Sequence, residues 1–281
     1  MIIIKKAKAL SGFLLQRRNN HQLIGFVPTM GALHPGHLAL INTSTKTNDL
    51  TVCSIFVNPT QFNNSDDFQK YPVTIEKDIK MLEQSGCDVL FLPPVSEIYP
   101  MGLTQLENYD LGLLEKILEG KFRPGHFQGV CQVVHRLLEI IKPQFLYLGQ
   151  KDYQQCLVIK KLLSIRKLNI QIVIVPTVRE TDGLAMSSRN KRLTVEAREQ
   201  ATEISKTLLF VKENMKKGET NKLINAATLQ LLNKGFKIDY ITIASAENLT
   251  EVNEWNGKSK IVVLAAAFIN GVRLIDNMLI N

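Results

Sequence analysis

The sequence predicts an α/β fold, in which a doubly wound parallel sheet is followed by a second, smaller α+β domain. Short, continuously apolar runs rich in β-branched residues recur before Pro176, and helical patterns alternate with them. After Pro176 the order changes to long, charged helical patterns and then to strand-like ones. Strands covered on both faces are continuously apolar and parallel pairs need helical crossovers, so the first part of the chain is expected to be doubly wound.

The first domain, residues 1–176, is expected to be Rossmann-like. Its predicted strands are residues 24–27, 51–57, 88–92, 145–148 and 170–175. Its predicted helices, in which apolar residues recur at helical spacing, are residues 37–47, 73–84, 127–141 and 153–163.

The second domain, residues 177–281, is expected to be the smaller α+β unit. A loop of small and polar residues, 181–190, opens it, and helical patterns follow at 194–216 and 221–233. Strand patterns then occupy residues 238–244, 261–268 and 272–275. Between the last two, Asn270-Gly271 predicts a hairpin turn, because both residues tolerate positive φ.

The composition is that of an ordinary globular protein, with 45% hydrophobic and 21% charged residues among 281. It excludes disordered and collagen-like classes. The net charge of +8 is spread over both halves of the chain, so no basic arm for nucleic acid is present. A mildly basic surface is the simpler interpretation of this charge, and a cleft that attracts an anionic small molecule is the alternative.

The cysteines, Cys53, Cys87, Cys131 and Cys156, are far apart and form no CxxC pair. They are expected to be buried apolar residues in a reducing compartment. The longest apolar run, residues 261–269, is too short for a membrane span, which needs about 20 residues. We therefore expect a cytoplasmic protein with neither a membrane nor a nucleic-acid partner.

The segment after the first predicted strand carries two histidines three residues apart, His34 and His37, with Pro35 and Gly36 between them. Proline suits the first position of a helix, so the histidines should lie at its positive, amide-rich end. Free amides and imidazoles there could bind phosphate and stabilise charge during attack at phosphorus. The alternatives are two incidental surface histidines or a zinc pair, although no third zinc ligand is close in sequence.

Polar clusters also follow three other predicted strands. Asn58 and Gln61 come after the second strand and suit a ligand that carries hydroxyl and carboxylate groups. Lys151 and Asp152 come after the fourth and suit phosphate and ribose. The fifth leads to a glycine-led loop in which Ser187, Ser188 and Arg189 could wrap polyphosphate, and neither GxGxxG nor a P-loop occurs in the chain.

In these motifs the sequence resembles the pantothenate synthetase family, the pantoate–β-alanine ligases of the nucleotidyltransferase superfamily with the HxGH signature. The resemblance covers essentially the whole chain. It rests on five collinear stretches: PTMGALHPGH (28–37), FVNPTQF (56–62), KFRPGHFQGV (121–130), GQKDYQQ (149–155) and LAMSSRN (184–190).

This resemblance implies a two-step ligation. ATP and (R)-pantoate would form an enzyme-bound pantoyl adenylate with release of pyrophosphate, and the amine of β-alanine would then displace AMP to give pantothenate. It also implies Mg²⁺ held mainly by ATP, a homodimer formed through the first domain, and a second domain that closes over the ATP site.

The resemblance further implies roles for individual residues. His34, His37, Lys151 and Arg189 would be catalytic, with His37 as the proton donor. Gln61 and Gln155 would hold pantoate, and Val133 and Val134 would contact its gem-dimethyl group. The residues that would bind ATP are Met30, Gly31, Ala32, Leu33, His34, Pro35, Gly36, His37, Gly149, Gln150, Lys151, Asp152, Val178, Met186, Ser187, Ser188 and Arg189.

Three positions depart from the family pattern. Gln150 and Pro35 stand where glutamate is usual or common, and Val73 stands where arginine commonly follows the Tyr-Pro pair. Two other functions stay open at this point. One is an adenylyltransferase for a phosphorylated acceptor, against which the neutral amides of Gln61 and Gln155 argue, and the other is a catalytically silent nucleotide- or RNA-binding module.

Overall fold

The computed structural model describes residues 1–63, 68–104 and 106–280. The chain divides into two compact units. Unit 1 comprises Met1–Gly149 and Val158–Pro176, and unit 2 comprises Gln150–Leu157 and Thr177–Asn281. The division differs in one segment from the predicted boundary at residues 176/177, because Gln150–Leu157 belongs to unit 2.

Unit 1 is built on a six-stranded sheet in which every pairing is parallel. The strand order is β1-β4-β3-β2-β5-β6. The strands are β1 (Ile2–Ile4), β2 (Ile24–Thr29), β3 (Leu50–Ile55), β4 (Val89–Phe91), β5 (Phe145–Gly149) and β6 (Gln171–Val175). The α/β fold class predicted from the sequence is confirmed.

The strand order reverses between β2 and β5. From β2 the chain continues outward to β3 and β4, whereas from β5 it continues to β6 on the other side. Open α/β sheets bind ligands at the carboxyl ends of the strands beside such a switch point. Met30, which follows β2, and Gly149, which ends β5, lie at this point in unit 1.

Helices flank the parallel sheet. Apolar side chains of helices and strands pack together in a core cluster that includes Leu40, Ile41, Cys53, Leu82 and Tyr147. The helices are α1 (Ala7–Asn19), α2 (Pro35–Thr45), α3 (Ile75–Gln84), α4 (Val95–Ile98), α5 (Leu118–Phe122), α6 (His126–Ile141) and α7 (Tyr153–Ile165), and α7 begins in unit 2.

Unit 2 contains a three-stranded antiparallel sheet of order β11-β10-β8 and a two-stranded pair, β7-β9. Its core includes Leu208, Leu231, Ile243 and Val263. The strands are β7 (Gly218–Glu219), β8 (Lys237–Ser245), β9 (Glu254–Trp255), β10 (Ile261–Ile269) and β11 (Val272–Ile280), and the helices are α8 (Val195–Gln200), α9 (Thr202–Asn214) and α10 (Asn221–Asn233).

Local expectations were largely met in unit 2. Asn270 and Gly271 have φ values of 48° and 72°, as the predicted hairpin between β10 and β11 requires. The single helix predicted over residues 194–216 was wrong, because two helices meet at Ala201. There the Thr202 hydroxyl donates to the Glu199 carbonyl oxygen, a local bond that competes with the regular helical pattern.

In unit 1, β1 and α1 were not predicted from the sequence. β1 pairs only with β4 among the described strands, so its place in the sheet depends on a segment more than eighty residues away. The expectation that the cysteines are buried was met, since Cys53, Cys87, Cys131 and Cys156 all lie in the interior. Among the described residues, no helix combines the length and the hydropathy needed to cross a bilayer.

Candidate active site

A left-handed turn follows β2 and leads to the two histidines. Gly31 has φ +80° and Ala32 has φ 49°. A Cβ at Gly31 would lie 3.0 Å from Cγ2 of Ile55 and 3.1 Å from Oδ2 of Asp78, so both the conformation and the space favour glycine.

Asp78, on α3, accepts hydrogen bonds from this turn. Its side chain is fully buried, and its two carboxylate oxygens accept the backbone N–H groups of Ala32 and Leu33, each at 2.9 Å. The Thr74 hydroxyl donates to the same carboxylate at 3.0 Å. A buried carboxylate needs such donors, so the turn and α3 fix each other's position.

His34 and His37 cap the start of α2. The N–H of Gly36 donates to Nδ1 of His34 at 3.1 Å, and the N–H of His34 donates to Nδ1 of His37 at 3.3 Å. A ring nitrogen that accepts a hydrogen bond carries no proton, so each neutral imidazole has its proton on Nε2. The two rings lie side by side, with centroids 4.0 Å apart, and each presents Nε2–H as its donor.

The free amides that the sequence analysis expected at this helix start are not free. Gly31 donates to the Thr29 hydroxyl, Ala32 and Leu33 to Asp78, and His37 to the His34 carbonyl oxygen. With the two bonds to imidazole nitrogen, every N–H from residue 31 to residue 37 has a partner, and Pro35 has no N–H. The imidazole donors are therefore better placed than the amides to meet an anion.

Gln61 ends a 3₁₀ turn, Pro59–Gln61, after β3. Nδ2 of Asn58 donates to Oε1 of Gln61 at 3.2 Å and to the Gly129 carbonyl oxygen at 3.0 Å. The Tyr99 hydroxyl donates to Oδ1 of Asn58 at 2.8 Å. These bonds fix the orientation of the Gln61 amide, with Oε1 toward Asn58 and Nε2 toward the sulfur of Met30.

Asn58 was expected to suit a ligand together with Gln61, but it lies in the interior instead. Its side chain is fully buried, because the turn that contains it packs closely on α6. A Cβ at Gly129 would lie only 2.4 Å from the Thr60 carbonyl oxygen, so α6 can approach this closely only with glycine there. Asn58 is thus a support for Gln61.

The segment 121–130, to which no chemical role was assigned, also holds Gln61. Nδ1 of His126 lies 2.8 Å from the Gln61 carbonyl oxygen, and Nη1 of Arg123 lies 3.0 Å from Nε2 of His126. Arginine is always a donor, so Nε2 of His126 accepts and Nδ1–H donates to Gln61. The backbone and the side chain of Gln61 are each held by a separate partner.

Unit 1 brings together several residues predicted to form the site. Nε2 of Gln61 lies 2.9 Å from the sulfur of Met30, next to the histidine segment. Val133 follows Gly129 by one turn of α6 and therefore lies on the same helix face. Val133 and Val134 are both buried, as are Ala32 and Leu33.

In unit 2, a 3₁₀ turn, Gln150–Asp152, begins the sequence that leads into α7. Nδ2 of Asn277, on β11, donates to the carbonyl oxygens of Gln150 and Lys151 at 3.0 and 2.9 Å. The Tyr153 hydroxyl donates to the Ala246 carbonyl oxygen at 2.7 Å. These bonds are the reason that residues 150–157, Gln155 among them, belong to unit 2.

The loop after β6 folds back on itself between residues 178 and 186 and forms a narrow ribbon in unit 2. Arg179 and Ala185 form a β-bridge, and the N–H of Met186 donates to the Val178 carbonyl oxygen at 3.0 Å. Beyond the ribbon, the Ser187 hydroxyl accepts the N–H of Arg189 at 3.2 Å and starts a 3₁₀ helix, Ser188–Arg192.

The guanidinium of Arg179 anchors the ribbon. It forms a bidentate ion pair with Asp276 on β11, at 2.6 and 3.0 Å, and Nη1 also donates to the Gly183 carbonyl oxygen. Burial raises the pKa of Asp276 above its usual range, and the ion pair with Arg179 opposes that rise. The carboxylate is thus retained in a buried place because a cation faces it.

Four residues that support the site were not predicted from the sequence: Asp78, Tyr99, Asp276 and Asn277. One signal was available for Asp78, a charged residue between Ile75 and Leu82 on the apolar stripe of a predicted helix, where a buried side chain is expected. A polar pair directly after the predicted strand 272–275, inside the otherwise apolar run 274–280, was the corresponding signal for Asp276 and Asn277.

Comparisons with known proteins agree with this architecture. Residues 2–279 match the family model for pantoate-beta-alanine ligase. Pantothenate synthetases from Cytophaga hutchinsonii and Acetivibrio thermocellus are each 44% identical to this chain, over 100% of it and 99% of the relative.

Solved structures give the same result. The pantothenate synthetase of Thermus thermophilus superposes with a TM-score of 0.90 at 38% identity, covering 99% of both chains. The pantoate-beta-alanine ligase of Francisella tularensis, solved in complex with beta-gamma ATP and beta-alanine, gives a TM-score of 0.81 at 41% identity, covering 99% of this chain and 97% of that one.

A doubly wound sheet with polar loops at its switch point is the architecture of an enzyme that acts on small molecules, and these relatives are ligases. The chain belongs to the pantoate–β-alanine ligase family. The resemblance stated from the five sequence motifs is confirmed, and the adenylyltransferase and the silent binding module are no longer needed as alternatives.

Proposed function

We propose that this protein condenses (R)-pantoate with β-alanine to give pantothenate, with ATP cleaved to AMP and pyrophosphate. The observation that carries the proposal is the fixed donor of Gln61 beside the histidine segment of unit 1. A neutral amide donor suits the hydroxyl and carboxylate oxygens of pantoate. A phosphorylated acceptor would instead call for a cation at that place.

In the first step a carboxylate oxygen of pantoate attacks the α-phosphorus of ATP. The bond from that phosphorus to the bridging oxygen breaks, pyrophosphate leaves, and pantoyl adenylate stays bound. Nε2–H of His34 and of His37 would donate to phosphate oxygens as negative charge builds, with His37 as the proton donor. Lys151 and Arg189 would supply the positive charge that makes pyrophosphate a better leaving group.

Pantoate would be held by the amides of Gln61 and Gln155, with its gem-dimethyl group against Val133 and Val134. Asn58 and His126 support this role for Gln61, because they fix its amide orientation and its backbone before substrate arrives. Less ordering is then left to occur on binding.

The residues proposed to bind ATP lie in several segments of the two units. Met30, His34, Pro35, Gly36 and His37 offer at least partly exposed atoms. The other proposed ATP-binding residues end β5 or lie in the loops that follow β2, β5 and β6: Gly31, Ala32, Leu33, Gly149, Gln150, Lys151, Asp152, Val178, Met186, Ser187, Ser188 and Arg189. Closure of the second domain over ATP stays a prediction.

In the second step the neutral amine of β-alanine attacks the acyl carbon of the adenylate. The new bond is the amide, the bond to the AMP oxygen breaks, and the amine loses a proton. Positioning of the two reactants is the main contribution required of the protein, since the adenylate is already activated.

Mg²⁺ would enter with ATP and be held mainly by its phosphates. The donor set agrees with this, because no group of three or more His, Cys, Asp or Glu side chains in residues 1–63, 68–104 and 106–280 could hold a metal ion. Bound there, Mg²⁺ would neutralise phosphate charge.

We further propose a cytoplasmic homodimer. The four cysteines are buried and far apart in the sequence, as is typical of apolar residues in a reducing compartment. The edge strand β1 exposes Ile2 and Ile3, at 47% and 42% of their surface, and unpaired apolar edges favour association. Light scattering after gel filtration measures the mass, and a monomer at micromolar concentration would overturn the dimer.

A pyrophosphate-release assay tests the reaction. With ATP and pantoate alone, we expect a single burst of about one pyrophosphate per active site, since the adenylate stays bound, and β-alanine should make release continuous. Steady AMP formation from ATP and β-alanine without pantoate would contradict the scheme. Ready adenylation of pantetheine phosphate would show that the acceptor was assigned wrongly.

A further inference from the structure

Two neighbouring residues of β11 contact both segments of unit 2 that are proposed to bind ATP. Asn277 bonds to the turn Gln150–Asp152, and Asp276 bonds to Arg179 at the base of the ribbon that carries residues 183–189. Neither residue is among those assigned to substrate. Both are almost completely buried, at 5% exposure for Asp276 and 2% for Asn277.

The contacts to the turn are reciprocal. Nδ2 of Asn277 donates to two successive carbonyl oxygens, those of Gln150 and Lys151, and Nε2 of Gln150 donates to Oδ1 of Asn277 at 3.2 Å. The amide of Asn277 is therefore used at both ends. Asparagine alone among side chains of this size supplies two donors and one acceptor in one plane.

The contacts to the ribbon run through one guanidinium. Arg179 binds both oxygens of Asp276, the Gly183 carbonyl oxygen and, at 3.4 Å, the Asn277 carbonyl oxygen. The N–H of Glu180 donates to the Leu184 carbonyl oxygen at 2.8 Å, so the residue next to Arg179 is bonded across the ribbon.

The two sets of contacts are also joined to each other. Oδ1 of Asp276 accepts the N–H of Asn277 at 2.8 Å, as well as Nη2 of Arg179. Displacement of Asp276 would therefore disturb the backbone from which the Asn277 amide projects. Linked hydrogen bonds of this kind in a buried place act as one unit.

We propose that Asp276 and Asn277 are positioning residues that hold the Gln150–Asp152 turn and the 183–189 loop in one arrangement for ATP. Neither touches the reacting atoms. Lys151 and Arg189, the proposed cations, lie on the segments that this pair holds. The inference rests on the proposed function, which supplies the ligand, ATP. It explains how two segments far apart in sequence could be held together to bind the same phosphates.

The test uses near-isosteric substitutions in the full-length protein. Asn277→Asp replaces the two donors with a carboxylate, and Asp276→Asn removes the charge opposite Arg179. Asn277→Ser, measured in parallel, removes the same donors without adding a charge. Asp239→Asn is the matched control, because Asp239 accepts Nε of Arg273 at 2.7 Å in an ion pair on β11 that involves neither Asp276 nor Asn277.

ATP affinity is measured by calorimetry without pantoate, and pyrophosphate release with it, below the melting transition of the least stable variant. We expect a roughly ten- to hundredfold loss of ATP affinity or turnover in all three variants, since small misplacement of positioned groups has costs of that size. The double variant Asp276→Asn/Asn277→Asp should lose less than the two single losses multiplied together, because the two residues act as one unit.

Values for the three variants that equal those of Asp239→Asn would overturn the proposal. If the loss in the double variant equals the product of the two single losses, the two residues act independently, and the proposal that they hold both segments in one arrangement would be overturned. A native protein that binds ATP but releases no pyrophosphate with pantoate would contradict the proposed function alone, because the calorimetric comparison of ATP affinity still tests the pair.

Discussion

Replacement of Asp78 by asparagine should loosen the turn that carries the histidines. The carboxylate is fully buried and accepts two backbone N–H groups, from Ala32 and Leu33, and the Thr74 hydroxyl. Asparagine has the same shape but only one acceptor oxygen. Its NH₂ group would face one of the backbone N–H donors, and that donor would be left buried without a partner.

The magnitude follows from these contacts. A hydrogen bond to a charged group contributes about 1.5–3 kcal/mol, and a stranded buried donor costs a further part of its desolvation. The Thr74 hydroxyl can rotate, so we count one lost bond and one weakened bond, or about 2–4 kcal/mol of unfolding free energy. At about 2–4 °C per kcal/mol for a unit of this size, the melting transition should fall by roughly 4–16 °C.

The assay combines thermal unfolding with pyrophosphate release. Because His34 and His37 follow the turn directly, Asp78→Asn should also slow adenylation, by about tenfold to a hundredfold. Asp88→Asn is the control. Asp88 accepts the N–H of Thr51 at 2.8 Å, but it is exposed and precedes β4, so it lies at the amino ends of the strands, away from the histidines. Its loss should therefore cost about 1 kcal/mol or less and leave turnover unchanged.

A variant Asp78→Asn with the stability and turnover of Asp88→Asn would refute the reasoning. Reduced stability with native turnover would show that the carboxylate supports the fold but not the position of the histidines.

The remaining predictions concern His37, Gln61 and His135. His37→Asn keeps an acceptor for the cap of α2 but loses Nε2–H, so turnover should fall about a hundredfold or more at little cost in stability or ATP affinity, measured by pyrophosphate release and calorimetry. Gln61→Ala should weaken pantoate binding by about 1–3 kcal/mol and leave ATP binding unchanged, as calorimetry can measure. His135 is buried beside Arg166, and its pKa is lowered, first by burial and then by that cation. The folded state therefore binds a proton at His135 less readily than the unfolded state does. The contribution of His135 to stability is complete above about pH 6.5 and is lost as pH falls toward the lower pKa of the folded state. His135→Gln should flatten the dependence of unfolding free energy on pH between about 7 and 5, measured by urea unfolding.

Each of these has a contrary outcome. Near-normal turnover of His37→Asn with only a raised Michaelis constant for ATP would remove its transition-state role. Unchanged pantoate affinity in Gln61→Ala would remove that residue from the pantoate site. An unchanged pH dependence in His135→Gln would mean that Nε2, which accepts from Arg166 at 3.1 Å, is not a group whose protonation unfolds the protein.

The sequence by itself determined those features whose causes are local. Continuous apolar runs predicted five of the six strands of unit 1, because a strand covered on both faces has no polar alternation. Asn270-Gly271 predicted its turn because both residues tolerate positive φ. The spacing of His34 and His37 around Pro35 predicted a helix start, since capping depends on residues only a few positions apart. The five motifs then pointed to the family.

Only the tertiary structure decided which groups support the site. The carboxylate that holds the Ala32 amide comes from a residue 46 positions away, and the one that holds Arg179 comes from 97 positions away. The same contacts, with the imidazole caps, occupy the amides that the sequence analysis had assigned to phosphate. A buried acceptor takes whichever donor the packing brings to it, and the packing depends on strand order and on close approaches that composition and spacing do not specify.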